Sequence, residues 1–204
     1  MATGIALKAQ YVVNDTYNYL WIKYAGIADN AMVLTSNFQN DAASKQHATP
    51  FQTIWLRNIG RLVKAAKVDA KEYAFVDVGC GKGVSTLYAA WKYDFKEVEG
   101  FDFEPSLIAS AVRNKVVSKV DRDVRFFVGD ASTYTLNDRK NFVFIFNSFD
   151  EHVMEQFLRN NVATFRKNAS IVAYANYHHL DVVESFRPKK VVNIRRYRCA
   201  VAFF

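Results

Sequence analysis

Short apolar runs alternate with amphipathic stretches along most of this chain. From residue 70 onward, the strand-like runs have three or more consecutive or alternating apolar positions, and the stretches between them carry apolar residues at helical spacing. The predicted strands are residues 75–78, 96–101, 141–146 and 169–175, with a further strand in the unit 123–131 that ends before Asp130 and a closing pair over 191–204. The predicted helices between them are residues 84–91, 105–116, 150–158 and 180–186. This order predicts an α/β fold with a mostly parallel sheet.

The first 70 residues have a different pattern. Apolar and aromatic residues over 1–25 predict a helix that ends near Gly26, and a polar run over 35–47 predicts a loop or a segment ordered by a ligand. Thr49 and Pro50 then match an N-cap and the first position of a second helix, with one apolar face from residue 51 to 63. Capping and the apolar stripe explain residues 47–53 better than a role in lining a ligand site.

Length, net charge and cysteine content limit the classes of protein to which this chain can belong. We expect one domain over residues 1–204, with 1–70 as an N-terminal helical cover and 71–204 as the core. The net charge of +7 is only a weak hint of a nucleic acid or an acidic partner. Two distant cysteines support neither a disulfide framework nor a metal cluster, so we expect no metal and a reducing, cytoplasmic location. No apolar run reaches transmembrane length.

A glycine-rich loop follows the first predicted strand. The loop holds Asp77, Gly79, Cys80, Gly81 and Gly83, and a helix begins directly after it. A phosphate-binding P-loop ends in Gly-Lys-Ser/Thr, whereas Lys82 is followed here by a glycine. A dinucleotide fingerprint requires a third glycine where this chain has Val84, and so it is a weak second choice. The strand, the loop and the helix N-terminus together predict a small-molecule site.

Two further acids follow the next two strands. Asp102 ends the second strand and Asp130 lies just past the third. In an open α/β sheet, ligands bind outside the carboxyl ends of the strands, where a carboxylate can accept hydrogen bonds from a ribose diol. A single aspartate at such a position is more often a turn or cap residue than a ligand contact. Three acids at successive strand ends, in this order, favour the ligand contact instead.

The order of these motifs resembles class I S-adenosylmethionine-dependent methyltransferases from residue 75 to 149. The resemblance implies a Rossmann-like methyltransferase fold, in which a seven-stranded sheet ends in a C-terminal antiparallel hairpin. It also implies that Asp77 and the glycine loop hold the methionine portion of S-adenosyl-L-methionine, Asp102 the ribose and Asp130 the adenine. The cofactor-binding residues expected from it are Asp77, Gly79, Cys80, Gly81, Gly83, Asp102, Phe103, Asp130, Ala131 and Asn147.

The fourth predicted strand delivers Asn147, Ser148 and Phe149. These residues resemble the Asn-Pro-Phe and Asn-Pro-Pro-Tyr/Phe motifs of amino-group methyltransferases, although Ser148 replaces the usual proline. The resemblance implies that Asn147 is catalytic, with its carbonyl accepting a hydrogen bond from an amine of a protein or a small molecule. An equally weighted alternative is that Asn147 caps the following helix. RNA is the alternative acceptor, and a non-catalytic cofactor-binding protein is the alternative class. The sequence leaves the oligomeric state open.

Two polar groups near the C-terminus have less specific explanations. His178 and His179 follow the fifth strand, where surface or packing roles outweigh acid/base catalysis. Six basic residues form a cluster for which a solvated face is the preferred explanation. They are Arg187, Lys189, Lys190, Arg195, Arg196 and Arg198.

Overall fold

The structure, a computed structural model, describes residues 4–40 and 43–204. Its strands are β1 (Ala74–Val78), β2 (Glu97–Asp102), β3 (Arg125–Val128), β4 (Asn141–Phe146), β5 (Ile171–Ala175), β6 (Lys190–Ile194) and β7 (Cys199–Phe203). Its helices are α1 (Gly4–Ala25), α2 (Arg57–Ala66), α3 (Val84–Lys92), α4 (Pro105–Val117), α5 (Glu151–Asn168) and α6 (Leu180–Ser185). Short 3₁₀ turns occupy Thr35–Asn37, Ala43–His47, Ala70–Glu72 and Arg195–Tyr197.

The strands form one seven-stranded sheet in the order β3-β2-β1-β4-β5-β7-β6. Strands β1 to β5 pair in parallel, and β7 pairs antiparallel with both β5 and β6. The prediction of a mostly parallel sheet with a C-terminal antiparallel hairpin is therefore confirmed. The strand order reverses between β1 and β4, which is the topological switch point where such sheets bind ligands.

The central strands are buried because helices cover both faces of the sheet. All residues of β1 and β5 are buried, and β4 spans the predicted residues 141–146. The fifth strand begins at Ile171 rather than at the predicted residue 169. The reason is that Ala169 takes a left-handed conformation, with φ 50°, as the C-cap of α5.

Side chains of the chain itself cap the two helices beside the switch point. Pro105 is the first residue of α4, as predicted, and the Glu104 carboxylate accepts a hydrogen bond from the first turn. The Asp150 carboxylate accepts two hydrogen bonds from backbone N–H groups in the first turn of α5, at 3.0 and 3.3 Å. Asp150 is the N-cap of α5, so the alternative that Asn147 caps this helix is wrong.

The second helix begins at Arg57, so the predicted helix start at Thr49 is wrong. The segment before α2 is extended because its backbone groups pair with distant parts of the chain. The Thr49 N–H donates to the Ser148 carbonyl at 3.2 Å, and the Phe51 N–H donates to the Val33 carbonyl at 2.9 Å. A local capping pattern cannot reveal such long-range partners.

We call residues 47–54 the strap. Two isolated antiparallel bridges hold it, one between Val33 and Phe51 and one between Ala48 and Phe149. The strap therefore lies between the segment after α1 and the loop after β4. The division of the chain into a cover up to residue 70 and a core beyond it stays a prediction.

Apolar side chains fill both faces of the sheet. On one face, Phe75 packs between Phe142 and Phe144, with ring centroids 6.0 and 5.7 Å away, beneath α1, α2 and α3. On the other face, β-strand valines and isoleucines pack against Phe157 and Leu158 of α5. Helix α1 ends before Gly26, whose φ is 74°, as predicted. None of the described helices is long and apolar enough to cross a membrane.

Candidate functional site

A pocket of about 870 Å³, part of which opens to solvent, lies at the carboxyl ends of β1, β2 and β4. Its walls come from the glycine loop after β1, the turns after β2 and β3, the loop after β4 and the strap. The pocket occupies the switch point of the sheet, and this position indicates a ligand site.

Asp77 is a buried carboxylate at the floor of this pocket. Its Oδ2 atom accepts hydrogen bonds from the Ser85 and Thr86 hydroxyls, both at 2.6 Å. Burial raises the pKa of Asp77 to about 6, although the two hydroxyls oppose the shift. Among the described residues, no ion pair involves this carboxylate. A buried carboxylate without a cation is costly, and a positively charged ligand would offset that cost.

Asp102 joins the glycine loop to the turn before α4. One carboxylate oxygen accepts from the Gly81 N–H at 2.9 Å, and the other accepts from the Glu104 N–H at 3.0 Å. Burial raises the pKa of Asp102 to about 6, while these backbone N–H groups oppose the shift. Because each carboxylate oxygen can accept more than one hydrogen bond, Asp102 keeps the capacity to accept from a ligand hydroxyl.

The glycine loop needs glycine at positions where the backbone is left-handed and crowded. Gly79 and Gly81 have φ values of 71° and 54°. A Cβ atom at Gly79 would lie 2.4 Å from Ser148 Cβ, and one at Gly81 would lie 2.1 Å from a ring carbon of Phe51. Both glycines therefore permit close packing against other loops of the site.

The turns after β2 and β3 supply the far wall of the pocket. Phe103, Asp130 and Ala131 line it, together with Phe38 from the segment after α1. The Phe38 and Phe103 rings pack edge to face with centroids 5.6 Å apart. The Asp130 carboxylate accepts from the Ser132 N–H at 2.8 Å, which fixes the turn. An aromatic wall beside a carboxylate suits a planar heterocycle with amino groups.

Cys80 contributes an uncharged wall. It borders the pocket and is 3% exposed. Burial raises the pKa of the Cys80 thiol well above its ordinary value, and the nearby Asp77 and Asp102 charges add to this shift. The thiol is therefore neutral at physiological pH and is not a nucleophile.

The loop after β4, which we call the β4 loop (residues 147–149), closes one end of the pocket. Asn147 has a left-handed backbone with φ 42°, and it lines the pocket together with Phe149. The Ser148 hydroxyl donates to the Val78 carbonyl at 3.0 Å. Where related motifs have a proline, this chain therefore anchors the loop to the end of β1 by a hydrogen bond.

The strap covers the β4 loop and the glycine loop. The Thr49 hydroxyl donates to the Asn147 backbone carbonyl at 2.5 Å, and His47 Nδ1 lies 2.6 Å from the Asp150 carboxylate. The strap residues that border the pocket are Ala48, Thr49, Pro50, Phe51, Gln52, Thr53 and Ile54. The preferred explanation of residues 47–53 by helix capping and an apolar stripe is therefore wrong, because α2 begins only at Arg57, and residues 48–53 border the pocket as in the alternative explanation.

Eight of the ten residues expected to bind the cofactor border the pocket, and only Gly81 and Gly83 do not. Gly81 lies beneath the strap, and Gly83 begins α3 with φ 75°. The roles of all ten stay predictions. Sequence reasoning missed Phe38 and Leu107, which also line the pocket. The available signal for Phe38 was an aromatic residue within an otherwise polar run.

The two histidines after β5 lie outside the residues that line the pocket. His178 Nδ1 is 3.2 Å from Arg198 Nη2. Partial burial, and after it the Arg198 charge, lower the pKa of His178, so its ring is neutral at physiological pH. This geometry gives the histidines no contact with the site.

Residues 75–168, from β1 to the end of α5, match the family model described as a methyltransferase domain. The match covers a little under half of the chain, and this segment is similar to a methyltransferase domain. Over this segment, the predicted resemblance to S-adenosylmethionine-dependent methyltransferases is confirmed. The matched residues include the glycine loop, all three strand-end acids and the β4 loop.

Solved structures show the same fold at low sequence identity. An RNA methyltransferase from Salinibacter ruber in complex with S-adenosyl-L-homocysteine is 20% identical with a TM-score of 0.53, over 72% of this chain and 88% of that one. A predicted N6-adenine-specific DNA methylase from Listeria monocytogenes is 14% identical with a TM-score of 0.55, over 83% of this chain and 54% of that one. A possible methylase from Clostridium difficile is 16% identical with a TM-score of 0.51, over 70% of this chain and 50% of that one. The matched region thus spans about half the length of the last two proteins.

Proposed function

We propose that the protein transfers a methyl group from S-adenosylmethionine to an amine nitrogen of a small molecule or a protein. One observation carries the proposal. The β4 loop places Asn147 and Phe149 among the residues that line a pocket with two buried carboxylates, both without an ion-pair partner in the described part of the chain.

The residues around the pocket fit S-adenosylmethionine, which carries an ammonium, a sulfonium and a ribose diol. Asp77 would hold the ammonium, because its buried carboxylate has no ion pair with any described residue. Asp102 would accept from the ribose hydroxyls, in addition to the backbone bonds it already accepts. Phe103 would pack on the adenine, with Asp130 and Ala131 at its edge.

When bound, S-adenosylmethionine supplies an activated methyl group that a nitrogen nucleophile displaces directly. The chain contributes orientation and the exclusion of water. The strap and the Phe38 ring cover the pocket, and Phe51 packs on the glycine loop below. This arrangement would hold the two reactants in line within a largely apolar enclosure.

The Asn147 side-chain carbonyl is the group we assign to the amine. The backbone carbonyls of Asn147 and Ser148 already accept hydrogen bonds from the Thr49 hydroxyl and N–H. The side-chain amide of Asn147 therefore remains to orient the nitrogen, while the Phe149 ring packs against the acceptor.

A nucleic-acid acceptor is the second candidate. It is favoured by Arg195, Arg196 and Arg198, which lie at the same edge of the sheet as the pocket.

The alternative of a non-catalytic cofactor-binding protein rested on Ser148 in place of the usual proline. The hydrogen bond from the Ser148 hydroxyl to the Val78 carbonyl of β1 weakens that argument. A cytoplasmic site of action stays a proposal, supported by two buried cysteines that form no disulfide.

The test uses Asn147→Gly, which removes the side chain and tolerates the left-handed backbone. Turnover should fall by about 100- to 1,000-fold, because orientation is lost in the transition state. Cofactor affinity, measured by calorimetry, should stay within a few-fold. The readout is transfer of a labelled methyl group to size-fractionated cell extract.

Asn176→Gly is the matched control, because Asn176 is also left-handed, follows β5 and does not line the pocket. It should keep wild-type turnover. Wild-type turnover in Asn147→Gly would remove this residue from the mechanism. Heat of binding with NAD but not with S-adenosylmethionine would overturn the cofactor assignment itself.

A further inference from the structure

The basic cluster near the C-terminus separates into two groups. Residues 187–190 lie at the start of β6, near the amino end of β5. Residues 195–198 lie in the turn between β6 and β7. This turn is at the carboxyl edge of the sheet, because Ile194 pairs with Cys199 and Cys199 pairs with Ala175 at the end of β5.

Helix α2 adds two arginines to the second group. The Arg61 guanidinium lies 3.6 Å from the centroid of the Tyr197 ring, and the Arg196 guanidinium lies 5.5 Å from it. Arg57 is one helical turn before Arg61. We call this group the arginine surface, and it consists of Arg57, Arg61, Arg195, Arg196 and Arg198.

The arginine surface has no carboxylate partner in the part of the chain that the structure describes. Within residues 4–40 and 43–204, none of its members forms an ion pair. At the amino edge of the sheet, by contrast, Arg125 and Arg139 both pair with Glu97 and Glu99. Arg125 and Arg139 are thus neutralised at the edge away from the pocket, whereas the arginine surface groups five arginines without an ion pair among the described residues at the pocket's own edge. Guanidinium groups that form no ion pair with a carboxylate are suited to bind phosphates, to which they donate paired hydrogen bonds.

The arginine surface lies close enough to the pocket to share one ligand with it. Strands β5, β7 and β6 follow β4 in the sheet, and neighbouring strands lie about 4.8 Å apart. The turn at residues 195–198 is therefore about 10–15 Å from the β4 loop along the same edge. A ligand with several phosphates beside its reacting group spans that distance.

We infer that the arginine surface binds the phosphate backbone of a nucleic acid whose base is methylated on an exocyclic amine in the pocket. This inference rests on the proposed methyl transfer to an amine nitrogen and develops its second candidate, in which that nitrogen belongs to a nucleic-acid base. The reacting base must be unpaired to reach the pocket, so the ligand is single-stranded or presents a flipped base. RNA and DNA share this backbone chemistry, and the test separates them.

The test measures binding of a labelled single-stranded RNA, and of DNA with the same sequence, to the full chain with S-adenosylhomocysteine. The double variant Arg195→Gln, Arg196→Gln removes two exposed members of the surface. Losing two phosphate contacts should reduce the slope of log K against log salt by about 1.4. If the two phosphate contacts contribute nothing to binding near 1 M salt, the double variant binds the nucleic acid about 60-fold more weakly than the unchanged protein at 50 mM salt. At 200 mM salt the difference is about 10-fold.

The matched control is the double variant Lys71→Gln, Lys96→Gln, which removes two exposed charges near the amino edge. It should change affinity less than about threefold, since distant exposed charges are screened. An equal loss in both double variants would overturn the inference, because net charge alone would then explain binding. Equal competition by an acidic polypeptide of the same charge would overturn it as well.

Tighter binding of RNA than of DNA, lost in the arginine variant, supports the inference with RNA as the source. Equal binding of both, also lost in the variant, supports it for nucleic acids in general. Calorimetry with S-adenosylhomocysteine separates this inference from the proposed function. Cofactor binding without nucleic-acid binding overturns only the inference, and nucleic-acid binding without cofactor binding overturns the proposed methyl transfer.

Discussion

Replacing Asp77 by asparagine should stabilise the ligand-free protein and weaken its cofactor binding. The asparagine carbonyl can accept the same two hydroxyl hydrogen bonds, from Ser85 and Thr86, that now reach Oδ2. What the substitution removes is the charge. In the free protein that charge is buried without an ion pair to any residue that the structure describes, whereas in the complex we propose that it pairs with the cofactor's ammonium.

The magnitude follows from the pKa. Burial raises the pKa of Asp77 from an ordinary value of 3.8 to about 6 in the folded protein. The folded state therefore keeps a proton that the unfolded state loses between these values, and stability falls as pH rises through this window. A shift of about 2 units corresponds to about 3 kcal/mol. Asp77→Asn should recover up to this amount above pH 6 and none of it below pH 4.

The assay is urea unfolding of both proteins at about pH 7.5 and pH 4, followed by tryptophan fluorescence. Glu99→Gln is the matched control, because Glu99 is equally buried but pairs with Arg125 and Arg139. Removing its charge leaves two guanidinium groups without that partner, so this variant should lose about 1–3 kcal/mol at pH 7.5. The same chemical change thus gives opposite signs at the two sites.

A gain of equal size at both pH values would refute the reasoning, because the stabilisation would then not come from the charge. Lower stability of Asp77→Asn than of the unchanged protein at pH 7.5 would refute it too.

Calorimetry of cofactor binding completes the test. Cofactor affinity should drop by about 1.5–3 kcal/mol, the usual value of a hydrogen bond to a charged group. Unchanged affinity would show that Asp77 does not contact the cofactor.

Two further variants test the ribose contact and the strap. Asp102→Ala should weaken cofactor binding by about 1–3 kcal/mol and lower the melting temperature, since the Gly81 N–H loses its acceptor; wild-type affinity in calorimetry would exclude the ribose role. Thr49→Val should lower turnover more than cofactor affinity, because its hydroxyl holds the carbonyl of Asn147. Thr53→Val is its control in thermal melts, since the buried Thr53 hydroxyl has no hydrogen-bond partner among the described residues and its loss should not destabilise. A Thr49→Val protein with wild-type turnover would show that the strap does not orient the β4 loop.

The central sheet was predictable because its signals are local. Strand β4 has the predicted bounds, since a nearly continuous apolar run between polar residues allows few other arrangements. The start of α4 at Pro105 is also a local signal, because proline fits the first helical turn whatever the rest of the chain does. The glycine loop and the three acids could be placed at one edge of the sheet from chain order alone.

The strap was not predictable, because its conformation depends on distant partners. Thr49 has the local features of an N-cap, but its N–H and hydroxyl donate to the β4 loop almost 100 residues later. Phe51 fits the apolar face of the expected helix, but its ring packs on Gly81. The arginine surface escaped recognition in the same way, since α2 and the turn at 195–198 meet only in the folded chain.

The strap also limits what can be inferred from one methyltransferase to another. The motifs that identify the family lie between residues 75 and 168, whereas much of the enclosure above the β4 loop comes from residues 47–54. Two enzymes can therefore share every family motif and still present differently shaped chambers to their acceptors. Acceptor identity is best compared between chains that align over the strap, and divergence in this short segment is a route to new substrates that leaves the cofactor machinery intact.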